Sequence, residues 1–328
     1  MMLKILHPSK LLFSLLCILS LLPQVVQAKP AEEDVLHILI PSGKGGGWDT
    51  TARAVGEILN TSHLIHQIEY ENFTGAGGGR ALIDLVRNEA KHSHTLMVQS
   101  TPLILRNLTG AIGYGFRDIS PIAILLSDYQ VIAVPKKSPF KDINALFAAI
   151  KTSPAKHPIL GGSASGSLDH VTLSLAANAL GIPMKTVRYI PTEGGGNAME
   201  LLNRGVGVAL VSGLGEVVPA YQQGEISILG VTSLKRLESL PELPTFIEQG
   251  VNVEFSNWRG FFANAHMSAE DKARYLDMLA QVSKSPEWAR KCLVNHWQPL
   301  FITGDELNQF LNDQESLLQK ALIDLDIK

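Results

Sequence analysis

Short apolar runs of strand length alternate along this chain with segments whose apolar residues recur at helical spacing, and glycine-rich stretches join the two. The first unit sets the pattern. Residues 35–40, V-L-H-I-L-I, predict a buried strand, P-S-G-K-G-G-G-W-D follows as a loop, and Ala52, Val55, Ile58 and Leu59 then share a helical face. Asp49, Thr50 and Thr51 are residue types that cap a helix starting there. The arrangement repeats with a strand over 67–72, glycines over 75–79, and a helix carrying Ala81, Leu82, Leu85 and Val86. Residues 94–99 predict a third strand, and 122–126 and 131–134 two further separate strands before Pro135.

The chain is expected to leave one domain for another around residues 135–140. Beyond that point the grammar is the same. Helices are predicted over 140–150, 168–180, 197–203 and 217–223, and strands over 157–160, 187–190, 206–211 and 226–231. Two prolines in residues 237–244 mark an irregular return by about Gly250. Ser268 with Asp271 spells a helix start, Pro286 suits a first helical turn, and residues 305–325 form an amphipathic last helix. Strands alternating with helices on this scale predict an α/β fold with parallel sheets. The domains expected are 29–134 with 251–328, and 135–250.

Composition adds the compartment. Residues 1–28 hold Lys4, Lys10, an apolar run over 11–22 and V-Q-A at the end, the form of a signal peptide cleaved after Ala28. The apolar run is shorter than the roughly 20 residues of a membrane span, so an exported, periplasmic protein is expected. Loss of the leader takes the formal charge from −3 to −5 and leaves Cys292 as the one cysteine, which excludes a disulfide framework and a cysteine-based metal site. Scattered basic residues and a negative net charge exclude a nucleic-acid surface. No cofactor or metal is expected, and a monomer is.

The candidate chemistry lies in the loops. Ligands of open parallel sheets sit beyond the carboxyl ends of the strands. Four such loops, at 42–50, 75–79, 161–167 and 192–196, are rich in Gly, Ser and Thr and predict a cleft lined by backbone N–H groups and hydroxyls, suited to an anion. Lys44 is followed by Gly45, which spoils a Walker loop, and the glycines do not spell a dinucleotide fingerprint. G-S-A-S-G at 162–166 carries Ala164 where a hydrolase nucleophile would stand.

Single residues carry alternatives. Asp49 is either a cap or a ligand contact; Trp48 and Trp258 are either cleft walls or packed aromatics. Arg259 either clamps a carboxylate or forms an ion pair. Asp169 and His170 open a helix, and Glu216 caps or orients the turn at 213–215.

P-S-G-K-G-G-G-W-D-T-T-A-R-A at 41–54, G-A-G-G at 75–78, G-G-S-A-S-G-S-L-D-H at 161–170, G-G-G-N-A at 194–198, V-S-G-L-G-E at 211–216 and N-W-R-G at 257–260 occur in a telling order. The chain resembles the extracytoplasmic solute receptors of tripartite tricarboxylate transporters, the Bug or TctC-like receptors. The resemblance covers the mature chain, and Trp48 with N-W-R-G points to the tricarboxylate-binding branch. It implies a type II periplasmic binding-protein fold, two α/β domains joined by a hinge around a ligand cleft. It also implies delivery of a small carboxylate, citrate or a related tricarboxylate, to a large and a small integral membrane subunit, without catalysis. Other cargoes in the same class are a dicarboxylate, an amino acid or an aromatic acid; the other roles weighed are a sensory partner of a membrane kinase and an exported hydrolase. The resemblance implies that residues 42–50, Ser163 and Ser165 grip the carboxylate, and the site residues expected in all are Ser42, Gly46, Gly47, Trp48, Asp49, Thr50, Gly77, Gly78, Ser163, Ser165, Asp169, His170, Gly195, Gly196, Ser212, Trp258 and Arg259. The sequence departs from the family pattern at G-V-G-V over 205–208, where an Asp is usual, and at Thr74, where a Pro is.

Overall fold

The structure, a computed structural model, describes residues 35–192 and 194–327; the leader and its cleavage after Ala28 lie outside them. β1 (Val35–Ile40) is exposed only at His37, and α1 (Gly47–Thr61) follows it after the glycine loop. Next come β2 (Gln67–Asn72), α2 (Gly79–Arg87), β3 (Thr95–Ser100), α3 (Pro102–Leu108) and the long β4 (Ile119–Pro135). The second region runs α4 (Ile143–Thr152), β5 (Ile159–Gly161), α5 (Leu168–Ala179), β6 (Tyr189–Pro191) and α6 (Gly195–Asn203). It continues through β7 (Ala209–Gly213), α7 (Leu214–Gln222) and β8 (Ile226–Val231). β9 (Ser256–Asn264), α8 (Ala269–Lys284), α9 (Pro286–Val294), β10 (Gln298–Ile302) and α10 (Gly304–Asp324) complete the described chain.

Two sheets share one strand. In the first the order is β2-β1-β3-β9-β4, with β10 also on β4; in the second, β4 pairs with β7 and β8, and β7 leads on to β5 and β6. β1 is parallel to β2 and β3, and β5 to β6 and β7, whereas β4 and β9 run antiparallel to their neighbours. The sheet is therefore mixed, with the expected parallel βα units on its outer parts.

The two strands expected over 122–126 and 131–134 are one. Asp128 and Tyr129 still pair with Asn257 and Ser256 of β9, while Gln130 and Val131 pair with Gly213 and Ser212 of β7. The polar residues between the apolar runs do not end the strand, because the ladder passes from one sheet's partners to the other's without a gap in backbone pairing.

A helical face buries each sheet. Ala52, Val55, Ile58 and Leu59 of α1 join Tyr275, Leu279 and Trp288 of α8 and α9 in one core. α10 packs on both α3 and α5, and its Leu311, Leu318 and Leu322 belong to a second core that takes in Met97 of β3 and Val211 of β7. Full burial of such a side chain contributes about 1.5–3 kcal/mol before chain entropy is counted. Ser268 caps α8 by accepting the Asp271 N–H, and Pro286 stands in the first turn of α9, both as the sequence predicts. α3 and β10 were not anticipated.

Candidate functional site

A cleft of about 1070 Å³ opens between the two sheets at the carboxyl ends of β1, β5 and β7. One wall is residues 45–47 at the start of α1; the facing wall is residues 162–169 at the start of α5 with Gly213, Gly215 and Glu216 at the start of α7. None of the three helices has a side-chain cap on its first N–H groups, and their N-cap residues are Gly46, Ser167 and Gly213. Those groups have no intrahelical partner and together carry the positive end of the helix dipole, about half an elementary charge per helix. The floor is Asp128 and Gln130 of β4 with Asn257 and Arg259 of β9, and Arg106 of α3 and residues 294–297 also line the cleft.

Glycines make room for the charged side chains. A Cβ on Gly47 would meet Arg259 Nη2 at 2.6 Å, and one on Gly195 would meet Glu216 Oε2 at 2.6 Å. At Gly77 a Cβ would lie inside the Arg106 guanidinium, and its φ of +56° excludes most other residues. The loops therefore hold glycine as much for these neighbours as for the chain turn.

Arg259 is 6% exposed and gives Nη2 to Asp128 Oδ2 at 2.5 Å, while its guanidinium lies 5.4 Å over the Trp297 ring. On the facing wall, Ser163 Oγ donates to Asp169 Oδ2 at 2.6 Å. Burial pushes the Asp169 carboxyl up to about 7 against that bond, and the Glu216 charge adds to the push. Glu216 itself accepts from Ser212 Oγ at 2.6 Å. His170 Nδ1 accepts the Gly166 N–H at 3.1 Å and its ring stacks on Tyr189, whose hydroxyl donates to the Ser163 carbonyl. Burial lowers His170 to about 4, so the ring is neutral at neutral pH.

Of the residues expected in the site, Gly46, Gly47, Thr50, Ser163, Ser165, Asp169 and Arg259 line the cleft. The others stand behind the lining or away from it. Trp258 is fully buried on the opposite face of β9, with its ring centroid 6.1 Å from those of Phe262 and Phe310. Trp48 donates Nε1–H to Ser100 Oγ and packs its ring edge against Gly78. Ser212 bonds to Glu216, Gly195 leaves it room, His170 accepts the Gly166 N–H, and Ser42 bonds to the Gly43 carbonyl; Gly196 is outside the lining.

The expected capping by residues 49–51 is corrected, because α1 begins two residues earlier, at Gly47. Thr50 and Thr51 donate their hydroxyls back to the Gly46 and Gly47 carbonyls. Asp49 is 3% exposed and accepts from the Gly45 N–H at 2.9 Å, from Asn72 Nδ2 and from Arg53 Nε, which fixes the loop. Burial opposes its charge, but these bonds win and hold the carboxyl at about 2.

Arg106, Asp128, Gln130 and the 294–297 turn were missed. Asp128 and Gln130 are polar residues between two apolar runs, and so read as a break between two strands. Arg106 lies in the unanticipated α3, so nothing marked it. The departure over 205–208 precedes β7, at the end of that strand away from the cleft. Among the described residues no three His, Cys, Asp or Glu side chains are placed to hold a metal ion.

Residues 52–325 match the Tripartite tricarboxylate transporter family receptor. A Pseudomonas sp. (strain P51) protein, described as a UPF0065 protein in the tcbD-tcbE intergenic region, is 28% identical over 229 residues, which is 69% of this chain and 66% of that one. The fold is similar to that of a TctC solute binding protein from Polaromonas, with a TM-score of 0.74 at 20% identity over 88% of this chain and 98% of that one. Two Rhodopseudomonas palustris structures are also similar. MatC with bound malate has a TM-score of 0.69 at 20% identity, covering 88% of this chain and 98% of its own. Rpa4515 with adipate has 0.72 at 21%, covering 89% and 97%.

Proposed function

Because the chain belongs to the tripartite tricarboxylate transporter receptor family, we propose that it is a periplasmic receptor that closes its cleft on a small dicarboxylate and releases it unchanged to the two membrane subunits of a transporter. The observation that carries this is the opposition of helix starts across one cleft, α1 on one wall and α5 with α7 on the other. A carboxylate at each end of the ligand would receive N–H groups from one wall. Hydrogen bonds to a charged group contribute about 1.5–3 kcal/mol each, so four or five contribute about 6–15 kcal/mol against the roughly 8 kcal/mol of micromolar binding, before association costs. The two sheets act as lobes, and the chain passes between them in β4 and again ahead of β9, which suits hinge closure.

The charges favour two carboxylates over three. Asp128 and Glu216 line the cleft against Arg106 and Arg259, and Arg259 is already paired with Asp128, so the lining offers little surplus positive charge for the third carboxylate of a trianion such as citrate. The relatives bound to malate and to adipate support the same choice. A hydrolase is disfavoured, since Ser163 bonds to Asp169 and Ser167 while His170 bonds to a backbone N–H.

Calorimetric titration of the chain from residue 29 with malate, adipate and citrate, followed by analysis of the recovered ligand, tests this. We expect saturable binding of a dicarboxylate, weaker binding of citrate, and intact ligand. Failure of every carboxylate to bind, or conversion of one, would overturn it.

A further inference from the structure

α3 turns one face to the cleft. Pro102, Leu105, Arg106 and Thr109 all line it, at the i, i+3, i+4 and i+7 spacing of a single helical face. Arg106 carries the charge on that face. Its guanidinium lies against Gly77, where a Cβ would overlap it, and a Cβ on the next residue, Gly78, would stand 3.1 Å from the ring of Trp48. Trp48 is the second residue of α1. The 75–79 loop thus has Arg106 on one side and the beginning of α1 on the other, which sets the guanidinium and the first N–H groups of α1 on the same wall.

Arg106 is half-buried, and among the described residues its side chain takes part in no ion pair and no hydrogen bond. Nε is buried without an acceptor, whereas the two Nη nitrogens keep accessible surface and the side chain lines the cleft. The other bases of the lining are committed or uncharged. Arg259 is bound to Asp128, and burial lowers His296 from its ordinary value, which leaves it neutral at neutral pH. Among the described residues no lysine lines the cleft. A guanidinium held away from bulk water without a counter-charge is unfavourable until an anion arrives, and its fork of N–H groups matches the two oxygens of a carboxylate.

We infer that Arg106 is the cationic contact of the binding site, and that its guanidinium pairs with the ligand carboxylate on the α1 wall. This rests on the carboxylate-receptor reading above and adds to the helix starts a side chain that they do not include. Backbone N–H groups also bond to a neutral carbonyl oxygen, whereas an ion pair requires the anion. Gly77 serves this contact, since any side chain there would displace the guanidinium.

Calorimetric titration with malate and with adipate, using whichever the chain from residue 29 binds more tightly, tests the assignment. Arg106→Met keeps a long apolar stem and a good helix former but no charge, and should weaken binding by at least about tenfold. Arg106→Lys restores the charge without the fork and should bind at least about threefold more tightly than Arg106→Met. Arg87 is exposed, bonds to the Tyr114 hydroxyl and lies outside the lining, so Arg87→Met, with the same change in net charge, should stay within about twofold of wild type. Wild-type affinity in Arg106→Met, an Arg106→Lys no tighter than Arg106→Met, or an equal loss in Arg87→Met would overturn the role of Arg106 and leave the receptor reading standing. Binding of neither diacid by the wild-type chain would overturn both.

Discussion

Gly47 and Arg259 occupy one another's space: a Cβ on the glycine would stand 2.6 Å from Nη2 and 2.9 Å from Cζ of the guanidinium. Gly47 is the first residue of α1, and its φ is not in the left-handed region, so alanine suits its backbone. The nearest obstacle is the Arg259 guanidinium. Gly47→Ala should keep a folded chain, shift Arg259 on the cleft floor, and weaken dicarboxylate binding by at least about tenfold, equivalent to ~1.4 kcal/mol. Unchanged affinity by calorimetry would show that Arg259 moves without consequence.

The pair of Arg259 with Asp128 is buried, and removing one partner leaves the other charge uncompensated. Arg259→Ala or Asp128→Ala should each cost about 3–5 kcal/mol. The double variant should cost less than the sum of the singles by more than about 1 kcal/mol, measured by urea unfolding. Additive losses would mean that the two side chains act independently.

Asp169 titrates near 7 in the folded chain against an ordinary 3.8, because burial and Glu216 disfavour its charge. The folded state therefore holds a proton that the unfolded state has lost, and stability falls as pH rises through that interval. Asp169→Asn, which still accepts from Ser163, should flatten the slope there and make the variant the more stable protein at about pH 8. Thermal melts from about pH 5 to 8 check this, and parallel curves for variant and wild type would contradict it.

Ser268, remote from the cleft, supplies a control on stability. It accepts the Asp271 N–H at 3.0 Å at the start of α8. Ser268→Ala should cost about 1 kcal/mol in chemical denaturation and leave ligand affinity alone. A change in affinity would connect α8 to the site.

The βα units were legible because each needs only local signals: an apolar run, a glycine loop, and apolar residues at helical spacing. Ile226–Val231 has the bounds its sequence predicts, and α5 differs from expectation by one residue at its end. The middle of β4 was not legible. Ser127, Asp128 and Gln130 read as a break because a single sequence does not display the change of sheet that keeps their backbone paired. The same gap hid the cleft floor. Arg259 was visible as a charged residue in N-W-R-G, but its partner lies 131 residues earlier in the chain. Trp258, in the same motif, faces the core because alternate residues of a strand face opposite ways.

The most direct measurement is a crystal structure of the chain with a bound four-carbon dicarboxylate such as malate. Its two carboxylates should lie on opposite walls, one within hydrogen-bond distance of the first N–H groups of α1, the other of those of α5 or α7. A ligand bound elsewhere, or held in the cleft without contact to either set of helix starts, would contradict the two-walled grip.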